Sequence, residues 1–243
     1  MIYRVKEGQV SYGEAIGIIL LENYAPFIPG DVANATTYSY PVRFQRVEGF
    51  TVERIFKHDL TLLDSIIDAA KALVREGVRA VTGDCGFMAI YQDRLADTLD
   101  VPVFMSSLLQ IPFILSIIGQ KRRIGIVTAS APSLNEFVFN KIGIHDLSRL
   151  VIGGLEDKPN FASAALREEG FLDSEKVEGE VVSVAKELAE REPDMGAILL
   201  ECSLLPPYGS AVREALELPV FDFVTMIDYV FSAVVKKRFK GFM

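Results

Sequence analysis

The sequence predicts an α/β protein made of two pseudo-symmetric parallel-sheet units. Three observations carry this prediction. Apolar, β-rich runs alternate with segments of helical spacing along the whole chain. Two cysteines, Cys85 and Cys202, each end a predicted strand, and a proline follows each 17 residues later in matching surroundings, Pro102 in VPVF and Pro219 in LPVF. Each cysteine also follows an acid, Asp84 or Glu201, and lies downstream of a glycine-containing strand. Gly17 of IGIIL precedes Cys85 by 68 residues, and Gly125 of IGIVT precedes Cys202 by 77.

In order along the chain, strands are expected at residues 15–21 (AIGIILL), 78–83 (VRAVTG), 101–105, 123–128 (RIGIVT), 197–200 (AILL) and 218–223. Residues 59–76 place Leu60, Leu63, Ile66, Ile67, Ala70 and Leu73 on one helical face. Residues 178–190 do the same with Val181, Val182, Val184, Ala185 and Leu188. Strands alternating with helices imply a parallel sheet covered by helices on both sides. Residues 22–39 form one long irregular stretch, read as an ordered lid or binding loop. Gly153-Gly154 reads as a turn. The expected division is 1–106 plus 226–243 for the first lobe, with Cys85, and 107–225 for the second, with Cys202.

Composition narrows the function classes. The 243 residues are 50% hydrophobic and 24% charged, enough apolar material for a sizeable core. A formal charge of −8 without a basic cluster argues against nucleic-acid binding. The apolar stretch 101–119 contains two prolines, three serines and a glutamine, so it reads as strand, turn and helix instead of a membrane span. The first residues lack a signal-peptide pattern, and a cytoplasmic protein is expected. Two cysteines make no disulfide framework, and reduced thiols are the cytosolic default.

Ligands of open parallel sheets bind beyond the carboxyl ends of the strands. A cysteine that ends a strand and opens a helix points at that ligand, and the helix N-terminus is expected to lower its pKa. Cys85 and Cys202 would then face one small molecule from opposite sides. This suits inversion at a carbon next to a carboxylate: one thiolate removes the Cα proton and the other thiol returns one. The developing charge needs donors. Backbone N–H groups at Gly86, Phe87, Ser203 and Leu204 are the candidates, with the hydroxyls of Ser203, Ser106, Ser107, Thr128, Ser130 and Thr225. Asn34, in the long loop, divides evenly between turn chemistry and binding.

The runs AVTGDCGFMAIYQ, SSLLQIP after VPVF, and LLECSLLPPY followed by LPVFD resemble the aspartate/glutamate racemase superfamily, over residues 16–229. Residues 29–44 also resemble the substrate-side loop of an uncharacterised branch. The resemblance implies Rossmann-like, racemase-type domains with the site at their interface, Cys85 and Cys202 as the acid/base pair, no cofactor, and a final helix that crosses back onto the first domain. It also implies a homodimer and a small-molecule carboxylate substrate. Glutamate racemases follow their first cysteine with Asn-Thr and their second with Thr-His. Here Gly86-Phe87 and Ser203-Leu204 stand instead, so glutamate itself cannot be read off. Related members racemise aspartate or hydantoins, isomerise maleate, or decarboxylate arylmalonates with a single cysteine. Two cysteines favour racemase or cis–trans isomerase chemistry, and a racemase or epimerase of a small carboxylate, an amino acid such as aspartate or glutamate, is the expected function. Maleate-type isomerisation, hydantoin racemisation and a non-catalytic carboxylate-binding protein stay open.

Other residues read as structural. Asp84 and Glu201 should point away from the sulfurs on an extended strand, toward solvent or a helix. His58 and His145 fall outside the predicted strand ends. Arg43, Arg46 and Lys158 read as solvated surface charges, and Tyr208 divides between packing and pocket contact. No HxxxH, CxxC, GxGxxG or GxxxxGK pattern supports a metal, dinucleotide or P-loop site.

Overall fold

The computed structural model describes residues 2–243. Its first half runs β1 (Ile16–Leu20), β2 (Val42–Arg46), α1 (Val52–Phe56), α2 (Leu63–Arg75), β3 (Ala80–Gly83), α3 (Gln92–Thr98) and α4 (Ile111–Ile117). The second half runs β4 (Arg123–Thr128), α5 (Glu136–Lys141), β5 (Leu150–Gly154), α6 (Pro159–Phe161), α7 (Ser174–Arg191), β6 (Met195–Leu200), α8 (Gly209–Leu216), β7 (Val220–Phe221) and α9 (Phe223–Val234). All strand pairs are parallel, in the orders β2-β1-β3 and β5-β4-β6-β7.

The repeat read from the sequence is a repeat of topology. β1 and β4 are the sheet centres, and β3 and β6 carry the cysteines at their carboxyl ends. The Val81 N–H donates to the Pro102 carbonyl at 2.9 Å, and the Ile198 N–H donates to the Pro219 carbonyl at 2.9 Å. The two prolines thus occupy equivalent places beside equivalent strands. In the first unit this fourth strand shrinks to one bridge, Val81 to Val103. The Gln92 side chain takes over there, donating to the Val103 carbonyl at 3.0 Å and accepting from the Met105 N–H at 2.8 Å.

Three expectations need correction. β5 ends on Gly153 and Gly154, which are strand residues and not a turn. A Cβ at Gly153 would lie 2.7 Å from Val184 Cγ1, so the bare glycine lets α7 lie close on the sheet. The end of the 29–44 stretch is not loop: β2 pairs with β1, and its Arg43 is held by Glu14 and Glu76. The helix expected from residue 59 begins at Leu63, because Asp59 Oδ1 accepts from the Thr61 N–H at 2.8 Å and offers the backbone a turn instead. Leu60 consequently stays exposed.

α9 returns to the first sheet, burying Phe223, Met226 and Ile227 with Ile16, Ile18 and Phe104. Its start is fixed by Asp222, whose Oδ1 accepts from the Thr225 N–H at 2.7 Å. No helix among the described residues is long and apolar enough to cross a membrane.

Candidate active site

Parallel pairing continues one step past β3 and β6. The Asp84 N–H donates to the Ile19 carbonyl at 3.0 Å, and the Glu201 N–H donates to the Val127 carbonyl at 2.8 Å. The next residue in each unit, Cys85 or Cys202, leaves the sheet at its carboxyl edge. Both are free thiols, and both line one pocket. Asp84, Gly86 and Phe87 join them from the first unit, and Glu201, Ser203 and Leu204 from the second. Asn23, Phe56, Ala165 and Leu166 close the walls. The free volume is about 30 Å³, room for little more than a water molecule or two. Next to Asn23 of the lining, the Tyr24 N–H donates to Glu168 Oε2 at 3.1 Å, tying the long loop to the segment just past Leu166.

The units are stitched together around this pocket. The Ser203 hydroxyl donates to the Asp84 carbonyl. The Ser107 hydroxyl donates to the Glu201 carbonyl at 3.1 Å, and the Val32 N–H donates to the Ser203 carbonyl at 3.3 Å. The long loop is therefore ordered against the second unit.

The electrostatics run opposite to the expectation of lowered thiol pKa values. Burial pushes both thiols well up, and the carboxyls of Glu201 and Asp84 push them further. Only the Phe87 N–H on Cys85 and the Leu204 N–H on Cys202 act the other way. A six-residue 3-10 helix, Gly86–Tyr91, opens at Cys85 and runs into α3, while a turn separates Cys202 from the short 3-10 helix Pro206–Tyr208. No α-helix starts at either cysteine, and burial outweighs what the N–H groups offer. Asp84 and Glu201 are buried and line the pocket, contrary to the expectation that they would point away. Burial raises each to about 7. The Leu21 N–H donates to Asp84 Oδ1 at 3.0 Å, and the Thr128 hydroxyl donates to Glu201 Oε2 at 2.8 Å.

Of the other expected site residues, Gly86, Phe87, Ser203 and Leu204 line the pocket. Asn34, Ser106, Thr128 and Ser130 lie outside its lining. Asn34 caps a short turn through the Thr36 N–H, and Ser106 accepts from the Leu108 N–H. Ser130 meets Ser133, and Thr128 acts at one remove, through Glu201. His58 contacts the Ser133 carbonyl, and His145 contacts Asn140. Arg46 pairs with Glu22 and Lys158 with Glu187. Among the described residues the pocket lining contains no Lys, Arg or His, and no group of three or more His, Cys, Asp and Glu is placed to hold a metal ion.

No family model matches the chain. Dimethylsulfoniopropionate lyase 7 of Emiliania huxleyi is 34% identical over 230 residues, which cover 90% of this chain and 67% of that protein. A dimethylsulfoniopropionate lyase of Durusdinium sp. clade D is 34% identical over 222 residues, covering 88% of this chain and 73% of that one. The chain belongs to the dimethylsulfoniopropionate lyase family. Its fold is that of the aspartate/glutamate racemase superfamily, as the sequence resemblance implied. An allantoin racemase from Klebsiella pneumoniae superposes with a TM-score of 0.64 at 16% identity, covering 93% of this chain and 96% of that one. Unliganded arylmalonate decarboxylase gives 0.58 at 18% identity, over 93% and 94% of the two chains. A glutamate racemase from Francisella tularensis, in complex with D-glutamate, gives 0.56 at 17% identity, over 93% and 85%. Within the dimethylsulfoniopropionate lyase family the relatives carry a lyase name, whereas the sequence reading expected an isomerase.

Proposed function

We propose that this chain is a lyase that splits dimethylsulfoniopropionate, or a close β-sulfonium carboxylate, by elimination. A thiolate takes the Cα proton. The C–H electron pair becomes the Cα–Cβ double bond, and the Cβ–S bond breaks with its pair staying on sulfur. A zwitterion thereby yields neutral dimethyl sulfide, an acrylate anion and a proton held by the thiol. The first half of this reaction is the same carbon-acid step that a thiolate performs in racemisation.

The observation that carries the reading is the pocket's charge. It holds two thiols, two carboxyls and an aromatic pair, Phe56 and Phe87, with ring centres 4.9 Å apart, and no cationic side chain among the described residues. An aspartate or glutamate substrate brings a second carboxylate that needs a cation, and Arg43, Arg46 and Lys158 are engaged in ion pairs elsewhere. A sulfonium zwitterion brings its own cation, which suits aromatic faces and acidic walls. The pocket, with about 30 Å³ free, must widen to admit it.

Incubation with dimethylsulfoniopropionate, followed by gas chromatography for dimethyl sulfide, tests the reading. Enzyme-dependent release is expected. Absence of release, with Cα deuterium exchange on amino acids in deuterium oxide, would move the function to the racemase that the paired thiols also suit.

A further inference from the structure

We propose that Glu201 is a catalytic hydrogen-bond donor, whose Oε1–H holds the substrate carboxylate as the Cα proton leaves. This rests on the lyase reading above. Glu201 is fully buried. Its Oε2 accepts from the Thr128 hydroxyl, which marks Oε2 as the carbonyl oxygen and leaves the hydroxyl at Oε1. Oε1 is buried and has no hydrogen-bond partner. It lies where it almost touches the opposite unit: a Cβ at Gly86 would be 1.8 Å from it. The main chain of Glu201 is pinned by its bonds to Val127 and Ser107.

The groups that face it are the thiols of Cys85 and Cys202, with Asp84 in the same lining and Asp31 behind Cys202. All are acids, and none offers a countercharge. An ionised Glu201 would leave an oxygen buried without a donor, at a high cost. A neutral Glu201 leaves an O–H without an acceptor, and a substrate carboxylate is the acceptor the pocket lacks. Charge that moves onto that carboxylate as Cα–H breaks strengthens this one bond, the condition for transition-state stabilisation. The neutral acid also spares the cysteines, because ionised Glu201 opposes a thiolate at either position.

The two protons then have opposite requirements. The base cysteine must lose its proton and Glu201 must keep its own. Glu201 titrates near 7, below the thiols. The wild-type kcat/KM should rise tenfold per pH unit up to about 7 and then level off, as the two dependences cancel. Glu201→Gln retains an N–H donor and the acceptor for Thr128. It should stay within about tenfold of the wild type below the bend, yet keep climbing above it. Glu201→Leu should lose about 10²–10³-fold. A Glu201→Gln profile that bends like the wild type, or a loss equal to that of Glu201→Leu, overturns the proposal.

A second measurement needs no turnover. Infrared difference spectra of the wild type against Glu201→Gln, with isotope-labelled glutamate to assign the band, should show a protonated-carboxyl band at about pH 6 that shifts when propionate binds. If dimethylsulfoniopropionate is not cleaved, the lyase reading fails while this band still decides Glu201. If the band is absent, or is indifferent to propionate, Glu201 is not the donor.

Discussion

Cys202 is buried, while Cys85 keeps a partly exposed edge, and each feels a different set of acids. Elimination uses one base and needs no acid on the opposite face, whereas racemisation needs both. Cys85→Ala and Cys202→Ala should therefore be unequal. Loss of the base should lower kcat by about 10²–10⁴-fold, and loss of the other thiol by about tenfold or less. Equal, near-complete losses measured on dimethylsulfoniopropionate would contradict a one-base mechanism. The cysteines were legible because their spacing repeats. Their acidic neighbours were misjudged because strict strand alternation was applied past the last ladder residue, where the chain already turns. A short sequence pattern does not reveal that turn, nor that burial outweighs two N–H donors in setting the thiol pKa.

At the scale of elements, the sheet centres were readable because β1 and β4 are apolar runs buried on both faces, the mark of parallel sheets. The edge strands were not. β2 is partly exposed and charged at Arg43 and Arg46, and β5 ends in glycines, so neither carries that mark. The glycines of β5 make sense only against α7. Gly153→Ala would drive a methyl to 2.7 Å from Val184 Cγ1 and 3.1 Å from Leu188 Cδ1. It should cost about 1–3 kcal/mol by urea denaturation. Val184→Ala in the same chain should recover part of that cost, because the two side chains compete for one space. Simple additivity of the two losses would mean that the helix had moved instead. Asp173→Ala at the start of α7, where Oδ1 accepts from the Lys176 N–H, should cost about 1 kcal/mol independently of either.

For the whole molecule, the pocket places one raised carboxyl from each unit at the seam, Asp84 and Glu201, each near 7. In the unfolded chain they titrate near about 4. Between about pH 4 and 7 the folded protein thus binds more protons than the unfolded one, so both groups make stability fall as pH rises. Their contribution is fully present below the unfolded values and is gone once pH passes about 7, a change of roughly 3–4 kcal/mol for each. The bonds that close the seam, from Ser203 to the Asp84 carbonyl and from Ser107 to the Glu201 carbonyl, run through the main chain of these same residues. Ionisation therefore strains the join between the units, not a remote surface. The double variant Asp84→Asn/Glu201→Gln removes both titrations while keeping acceptors for the Leu21 N–H and the Thr128 hydroxyl. Its stability relative to wild type should improve by about 3 kcal/mol or more between about pH 5 and pH 8 in urea denaturation. A difference that stays constant across that range would mean that the seam holds charged carboxylates in the folded protein, and the neutral-acid pocket would have to be abandoned.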